Sequence, residues 1–136
     1  MPTKPEVLKQ VPLFNQLNQR QLKRLAAKFR ERRFLPGATV VRQGKMSGVG
    51  FFVVVEGEAS VSVDGKNVAQ LGAGDYFGEL ALIAERERTA TVTAETALEC
   101  LEIPIWDFRE FVKNDSDVSW KLLRQVVGRL LDERGA

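Results

Sequence analysis

The chain has 136 residues, 44% hydrophobic and 28% charged, which is the size and mix of one folded domain with its own core. Its 20 Lys and Arg stand against 18 Asp and Glu, and a net charge of +2 gives no ground for a nucleic-acid or membrane partner. The absence of histidine removes the commonest metal ligand and the commonest general base, so neither a metal site nor a catalytic site is expected. A single cysteine excludes an internal disulfide framework and suits a reducing compartment. No apolar run reaches transmembrane length, and Met1 to Gln10 lacks a signal-peptide core. A cytoplasmic location follows as the expectation.

In chain order, Met1 to Glu6 is a polar tail, and Val7, Leu8, Val11, Leu13 and Phe14 cluster around Pro12. Asn18 and Gln21 read as a capping box. Leu22, Leu25, Ala26 and Phe29 then recur at helical spacing, which extends the N-terminal helices over 4–31. The basic run Lys23, Arg24, Lys28, Arg30, Arg32, Arg33 reads as a solvated helix face. From Phe34 the period falls to about 2, with a turn at Pro36-Gly37. Phe51 to Val55 is a buried-strand run that stops at Glu56-Gly57. Ala59 to Val63 alternates, Asp64-Gly65 signals a hairpin turn, and Asn67 to Leu71 returns. Short strands at this spacing indicate a sandwich or barrel. Thr89 to Ala94 and Leu98 to Ile103 are strand-like, with Cys100 as a buried thiol. Pro104 opens a helix from Ile105 to Lys113 that buries Trp106, Phe108 and Phe111. Asn114 to Asp117 is an N-cap cluster, and the last helix runs from about Val118 to Glu133. Val118, Leu122 and Val126 form one apolar stripe of that helix; Trp120, Leu123, Val127, Leu130 and Leu131 form another. Such a band is wider than one core needs, and the surplus suits either a ligand base or another chain.

The stretch from Phe77 to Val92 carries the chemistry. Phe77-Gly78-Glu79-Leu80-Ala81-Leu82 follows a Gly-rich turn and leads into a short helical turn, Glu79 to Ile83. A Gly-led helix start offers free N–H groups and a positive dipole end to an anion such as phosphate. Arg88 can close over the same anion with its forked guanidinium. Glu79 suits a sugar hydroxyl as acceptor. It would otherwise serve the helix N-terminus as a dipole partner. Phosphate, sugar and a flat base make a nucleotide.

Phe77-Gly78-Glu79-Leu80-Ala81-Leu82 followed by Arg88-Thr89-Ala90 resembles the phosphate-binding cassette of cyclic nucleotide-binding domains, as in the catabolite activator protein and the regulatory subunit of cAMP-dependent kinase. Glu87 stands where many members carry proline. The resemblance implies a mainly β, α+β fold: an eight-stranded antiparallel, jelly-roll-like β-roll over 34–103, flanked by N-terminal helices and by two C-terminal helices over 104–134, in one domain over 1–136. It implies ligand contacts from Gly78, Glu79, Leu80, Ala81, Arg88, Thr89 and Ala90. A side chain at position 78 would keep phosphate off the backbone. The last helix resembles the family's lid, with Leu122, Leu123 and Val126 closing over the purine, and in some members that helix also pairs as a dimer. The expected ligand is cAMP, with cGMP left open because the Thr89 hydroxyl can meet a guanine amino group. The expectation is a non-enzymatic sensor with no direct nucleic-acid contact, working through a homodimer or an effector protein. The alternative is the regulatory module of a catabolite-activator-type regulator or of a larger effector, since no helix-turn-helix follows the last helix.

Overall fold

The computed structural model describes residues 3–44, 50–78 and 90–134. The chain divides into two compact units, Phe29–Trp106 and Met1–Lys28 with Asp107–Ala136.

The first unit is built of strands β1 (Arg30–Phe34), β2 (Thr39–Val41), β3 (Gly50–Glu56), β4 (Ala59–Val63), β5 (Lys66–Leu71), β6 (Tyr76–Phe77), β7 (Thr91–Ala94) and β8 (Leu98–Pro104). They form two four-stranded sheets in the orders β1-β8-β3-β6 and β2-β7-β4-β5, and every strand pair is antiparallel. This is the expected eight-stranded antiparallel roll. Its core gathers Phe52, Val54, Leu98 and Cys100 from one sheet with Val41, Ala59, Val92 and Ala94 from the other. Burial pushes the Cys100 thiol up to about 12, with Arg32 pulling it down and Glu102 pushing it up less strongly. The Asp64-Gly65 hairpin has both residues at positive φ, 52° and 80°, as a two-residue turn between twisted strands requires.

One stretch departs from the sequence reading. The helix over Gln19–Ala26 ends before Phe29, and Arg30 to Arg33 are strand, not helix face. The reason is tertiary. Arg30 and Arg33 lie directly opposite Glu102 and Glu99 on β8. Arg30 and Arg32 both donate to Glu102 Oε1, at 3.0 and 2.7 Å, and Arg33 pairs with Glu99 at 2.9 Å. Glu102 is only 4% exposed, and a buried carboxylate needs such partners. The basic run is therefore not merely a solvated surface.

The second unit holds α1 (Lys4–Lys9), a 3-10 turn (Pro12–Phe14), α2 (Gln19–Ala26), α3 (Ile105–Lys113, which continues directly from β8) and α4 (Ser116–Arg134). Its core contains Leu8, Val11, Leu13, Phe14, Leu22, Leu25, Phe108, Phe111, Val118 and Leu122. The Asn18–Gln21 capping box is present. Gln21, itself buried, does more: its amide donates to Asp117 Oδ2 at 2.7 Å and accepts from Lys121 Nζ at 3.0 Å. Asp115 caps α4 by accepting from the N–H groups of Asp117 and Val118. Trp106 was expected inside and is 65% exposed. Phe108 and Phe111, three apart, make the buried stripe of α3, and a residue two before Phe108 points about 200° away from it. No helix among the described residues is long and apolar enough to cross a membrane.

Gly57 tests the packing of the roll. It has φ +98°, and a Cβ there would sit well inside contact distance of the Ala97 carbonyl, whereas Gly65, at φ +80°, has open space around it. Left-handed backbone alone costs an L-residue about 1–2 kcal/mol. Chemical denaturation should therefore show Gly65→Ala losing about that much and Gly57→Ala clearly more. Equal losses would mean that the approach to Ala97 is not limiting.

Candidate functional site

The Gly-rich turn before the candidate site is tied to β3. The Gly72 N–H donates to Asp75 Oδ2 at 2.8 Å, and Gly74 takes φ +91°. The Gly74 N–H reaches the Val54 carbonyl at 2.9 Å, and the Val54 N–H reaches the Asp75 carbonyl at 2.8 Å. These bonds deliver β6 to β3, with Phe77 opposite Phe52 and Tyr76 opposite Val53. The Phe77 ring stacks on Phe52 at 5.0 Å and 11°. Tyr76 is half-buried, its ring 5.9 Å from that of Phe51. The next residue, Gly78, has φ +91°. That conformation favours glycine on backbone grounds alone, in addition to any need for an anion to approach the main chain.

The chain is described again from Ala90, at a bend, and enters β7 at Thr91. There it belongs to the other sheet, with Thr91 opposite Ser62 on β4 and Val92 opposite Val41 on β2. The Thr91 hydroxyl accepts from the Gln43 N–H at 2.9 Å. The Gln43 side chain in turn donates to Asp64 Oδ1 at 3.0 Å and accepts from the Asp64 N–H at 2.9 Å. The candidate stretch thus begins on one sheet and ends on the other.

Of the predicted ligand contacts, the structure places Gly78 and Ala90, one at each end. Glu79, Leu80, Ala81, Arg88 and Thr89, and the helical turn Glu79 to Ile83, lie outside the described residues. Of the three lid residues, Leu122 is buried, Val126 half-buried and Leu123 53% exposed. Trp120, Val127, Leu130 and Leu131 are exposed beside Leu123. Sequence reasoning missed Gln43 and Thr91 as anchors. Nothing local marks Gln43, whose partners are 21 and 48 residues away.

Comparison with known proteins is consistent with this geometry. Residues 31–115 match the model of the cyclic nucleotide-binding domain family. The chain is 37% identical over 113 residues to a cAMP-dependent protein kinase regulatory subunit of Schizosaccharomyces pombe, covering 82% of this chain and 27% of that protein. It is 36% identical to a cyclic nucleotide-gated potassium channel of Mesorhizobium japonicum, covering 93% of this chain and 34% of that one. It therefore spans roughly a quarter to a third of the length of these curated relatives. The crystal structure of the N-terminal domain of a transcriptional regulator from Streptomyces coelicolor superposes with a TM-score of 0.85 at 32% identity, covering 96% of each chain. The family match runs from β1 to the residue before α4 and takes in both anchored ends of the stretch 77–90; the chain belongs to the cyclic nucleotide-binding domain family.

Proposed function

We propose that 1–136 works as one sensor domain that binds cAMP in the stretch 77–90 and changes the pose of α4 when it does so. The observation that carries this reading is the uninterrupted motif, Gly78-Glu79 to Arg88-Thr89-Ala90, spanning two ends held on different sheets. In it Arg88 pairs with the ring phosphate. Glu79 accepts from the ribose hydroxyl. Gly78, Leu80, Ala81 and Ala90 supply backbone N–H groups and walls. The fission-yeast relative is named for cAMP, which supports adenine over guanine. Thr89 keeps cGMP as the competing ligand.

A cyclic phosphate carries one charge in a fixed place, while linear AMP carries more charge on a rotating group. Isothermal titration should show cAMP binding much more tightly than AMP. Truncating one side of a buried charge pair costs about 2–5 kcal/mol, roughly 30- to several-thousand-fold in affinity. Arg88→Ala should lose that much and Arg86→Ala little. Equal binding of AMP and cAMP, or matching losses in the two variants, would remove the reading.

The signal leaves through α4. A ligand shifts a helix between two poses only by its differential affinity for them. The residues that supply the difference are Leu122 and Val126, with Leu123 at the border of the outer stripe. Amide exchange along α4 should slow on saturation with cAMP by more than exchange in β3 does. Unchanged exchange in α4 would place the switch elsewhere.

A second copy of the chain is the occupant we assign to the outer stripe. Trp120, Leu123, Val127 and Leu130 are spaced 3-4-3 and all exposed, the spacing of a coiled-coil seam, with β-branched Val127 alternating with leucines. Sedimentation should give a dimer for the native chain and a monomer for Leu130→Lys. A native chain that stays monomeric at every concentration would hand the stripe to an effector protein or to an attached DNA-binding module.

A further inference from the structure

A polar cleft of about 170 Å³ lies in the helical unit, lined by Gln16, Lys121, Arg124 and Gln125. It shares no residue with the stretch 77–90. Its volume equals that of roughly five or six waters, room for a small ion. Lys121, Arg124 and Gln125 stand at i, i+3 and i+4 on α4, so they share one face of the helix. Leu122, beside Lys121, is buried and holds that turn to the core. The 3-10 turn packs against α4, and Gln16 follows it closely. The backbone is fixed on both sides of Gln16. The Asn15 N–H donates to the Pro12 carbonyl at 3.4 Å, the Leu17 N–H donates to the Phe14 carbonyl at 3.1 Å, and Leu17 is buried. The two walls of the cleft thus come from different elements seated in one core.

Every lining side chain ends in N–H donors, and no carboxylate is among them. Lys121 is held in place. Its ammonium meets Asp117 Oδ2 and Gln21 Oε1, both at 3.0 Å, which leaves one of its three donors unspent. Asp117 matches the Lys121 charge. Arg124 has no ion-pair partner among the described residues, so its guanidinium carries the uncompensated charge of the cleft. A forked cation beside an ammonium and two amides favours an oxyanion over a neutral or cationic guest. We propose that this cleft binds a small oxyanion of the phosphate class. Arg124 is the bidentate partner, Lys121 gives its remaining donor, and the Gln16 and Gln125 amides complete the shell. Bound there, the ion bridges the turn before α2 to α4.

The test titrates inorganic phosphate into the whole chain at constant ionic strength and follows its amide spectrum. The side-chain NH2 signals of Gln16 and Gln125 and the backbone amides around Arg124 should shift together and saturate on one curve. Chloride at matched ionic strength should move them little. Losing a hydrogen-bonded charge weakens binding by roughly tenfold or more, and losing a neutral donor by roughly 2- to 10-fold. Arg124→Gln should show the first loss and Gln16→Ala the second. Both residues are exposed, so neither change touches the core. Lys121 is left intact because it also fastens Asp117 and Gln21. Lys66→Gln removes the same charge from an exposed position in the roll and should bind as the native chain does. In Arg88→Ala the Gln16 and Gln125 shifts should persist, since the cleft does not use that arginine. Shifts that never saturate, equal shifts with chloride, native binding in Arg124→Gln or an equal loss in Lys66→Gln each overturn the inference. Shifts that vanish in Arg88→Ala overturn it too, and leave the nucleotide reading of 77–90 standing.

Discussion

The stacking of Phe77 on Phe52 is the contact on which the candidate site depends. Strand β6 has only two residues, too few for its ladder to hold it alone. The 5.0 Å ring stack and the turn bonds from Val54 to Gly74 and Asp75 hold it instead. β3 can carry that load because it is buried from Gly50 through Val54 and paired along its length with β8. Its first residue shows how close the pairing is. A Cβ on Gly50 would come within 2.9 Å of the Ile103 carbonyl and 3.0 Å of Glu102 Oε2. A side chain there would press on Glu102, the buried carboxylate that collects Arg30 and Arg32. The path from packing to site is short: Gly50 lets β3 seat on β8, β3 holds Phe77, and Gly78 follows.

The second constraint is topological. The chain leaves one sheet after Phe77 and joins the other at Thr91, so the intervening stretch is defined by two ends that belong to different ladders. Each end has a polar lock as well as a strand pairing: the Gly72–Asp75 turn before it and the Gln43–Thr91–Asp64 group after it. Binding residues on a connection held at both ends by a rigid scaffold can be placed without being part of the core.

What could be read from the sequence was what its residues state locally. The Asp64-Gly65 turn and the Asn18–Gln21 box depend on neighbours within a few residues, and the structure shows both; the change of period is there too, but at Arg30 and not at Phe34. The motif at 77–90 is likewise contiguous. The departures have partners far along the chain. Arg30 to Arg33 become strand because β8, about 70 residues away, pairs with them residue by residue and sets Glu99 and Glu102 beside them. Gln21 reaches Asp117 and Lys121 across 96 and 100 residues, beyond the capping role its spacing announced. Gln43 carries no local mark at all. Trp106 shows the opposite error, in which a large apolar residue was assigned to the core although the helical phase set by Phe108 and Phe111 turns it outward.

These long-range contacts divide α4 into two unlike halves. Its first turn is fastened: Asp115 caps it and pairs with Arg24, and Asp117 is held by Lys121 and Gln21. Hydrogen bonds from Arg24 hold the Asp115 carboxyl below its ordinary range, and those from Lys121 do the same for Asp117. A depressed carboxylate keeps its stabilising contribution above the unfolded value of about 3.9 and loses it only as pH falls through the lower folded value. The fastening is therefore complete at neutral pH. Beyond Leu122 the helix changes character, with Leu123, Val127, Leu130 and Leu131 exposed and Gly128 in open space. A glycine inside a helix costs roughly 1 kcal/mol relative to alanine, so the outer half is the softer half as well as the barer one. Polar contacts reaching back to α2 thus fasten the first turn of α4, while beyond Leu122 its outer face, Leu123, Val127, Leu130 and Leu131, is left exposed.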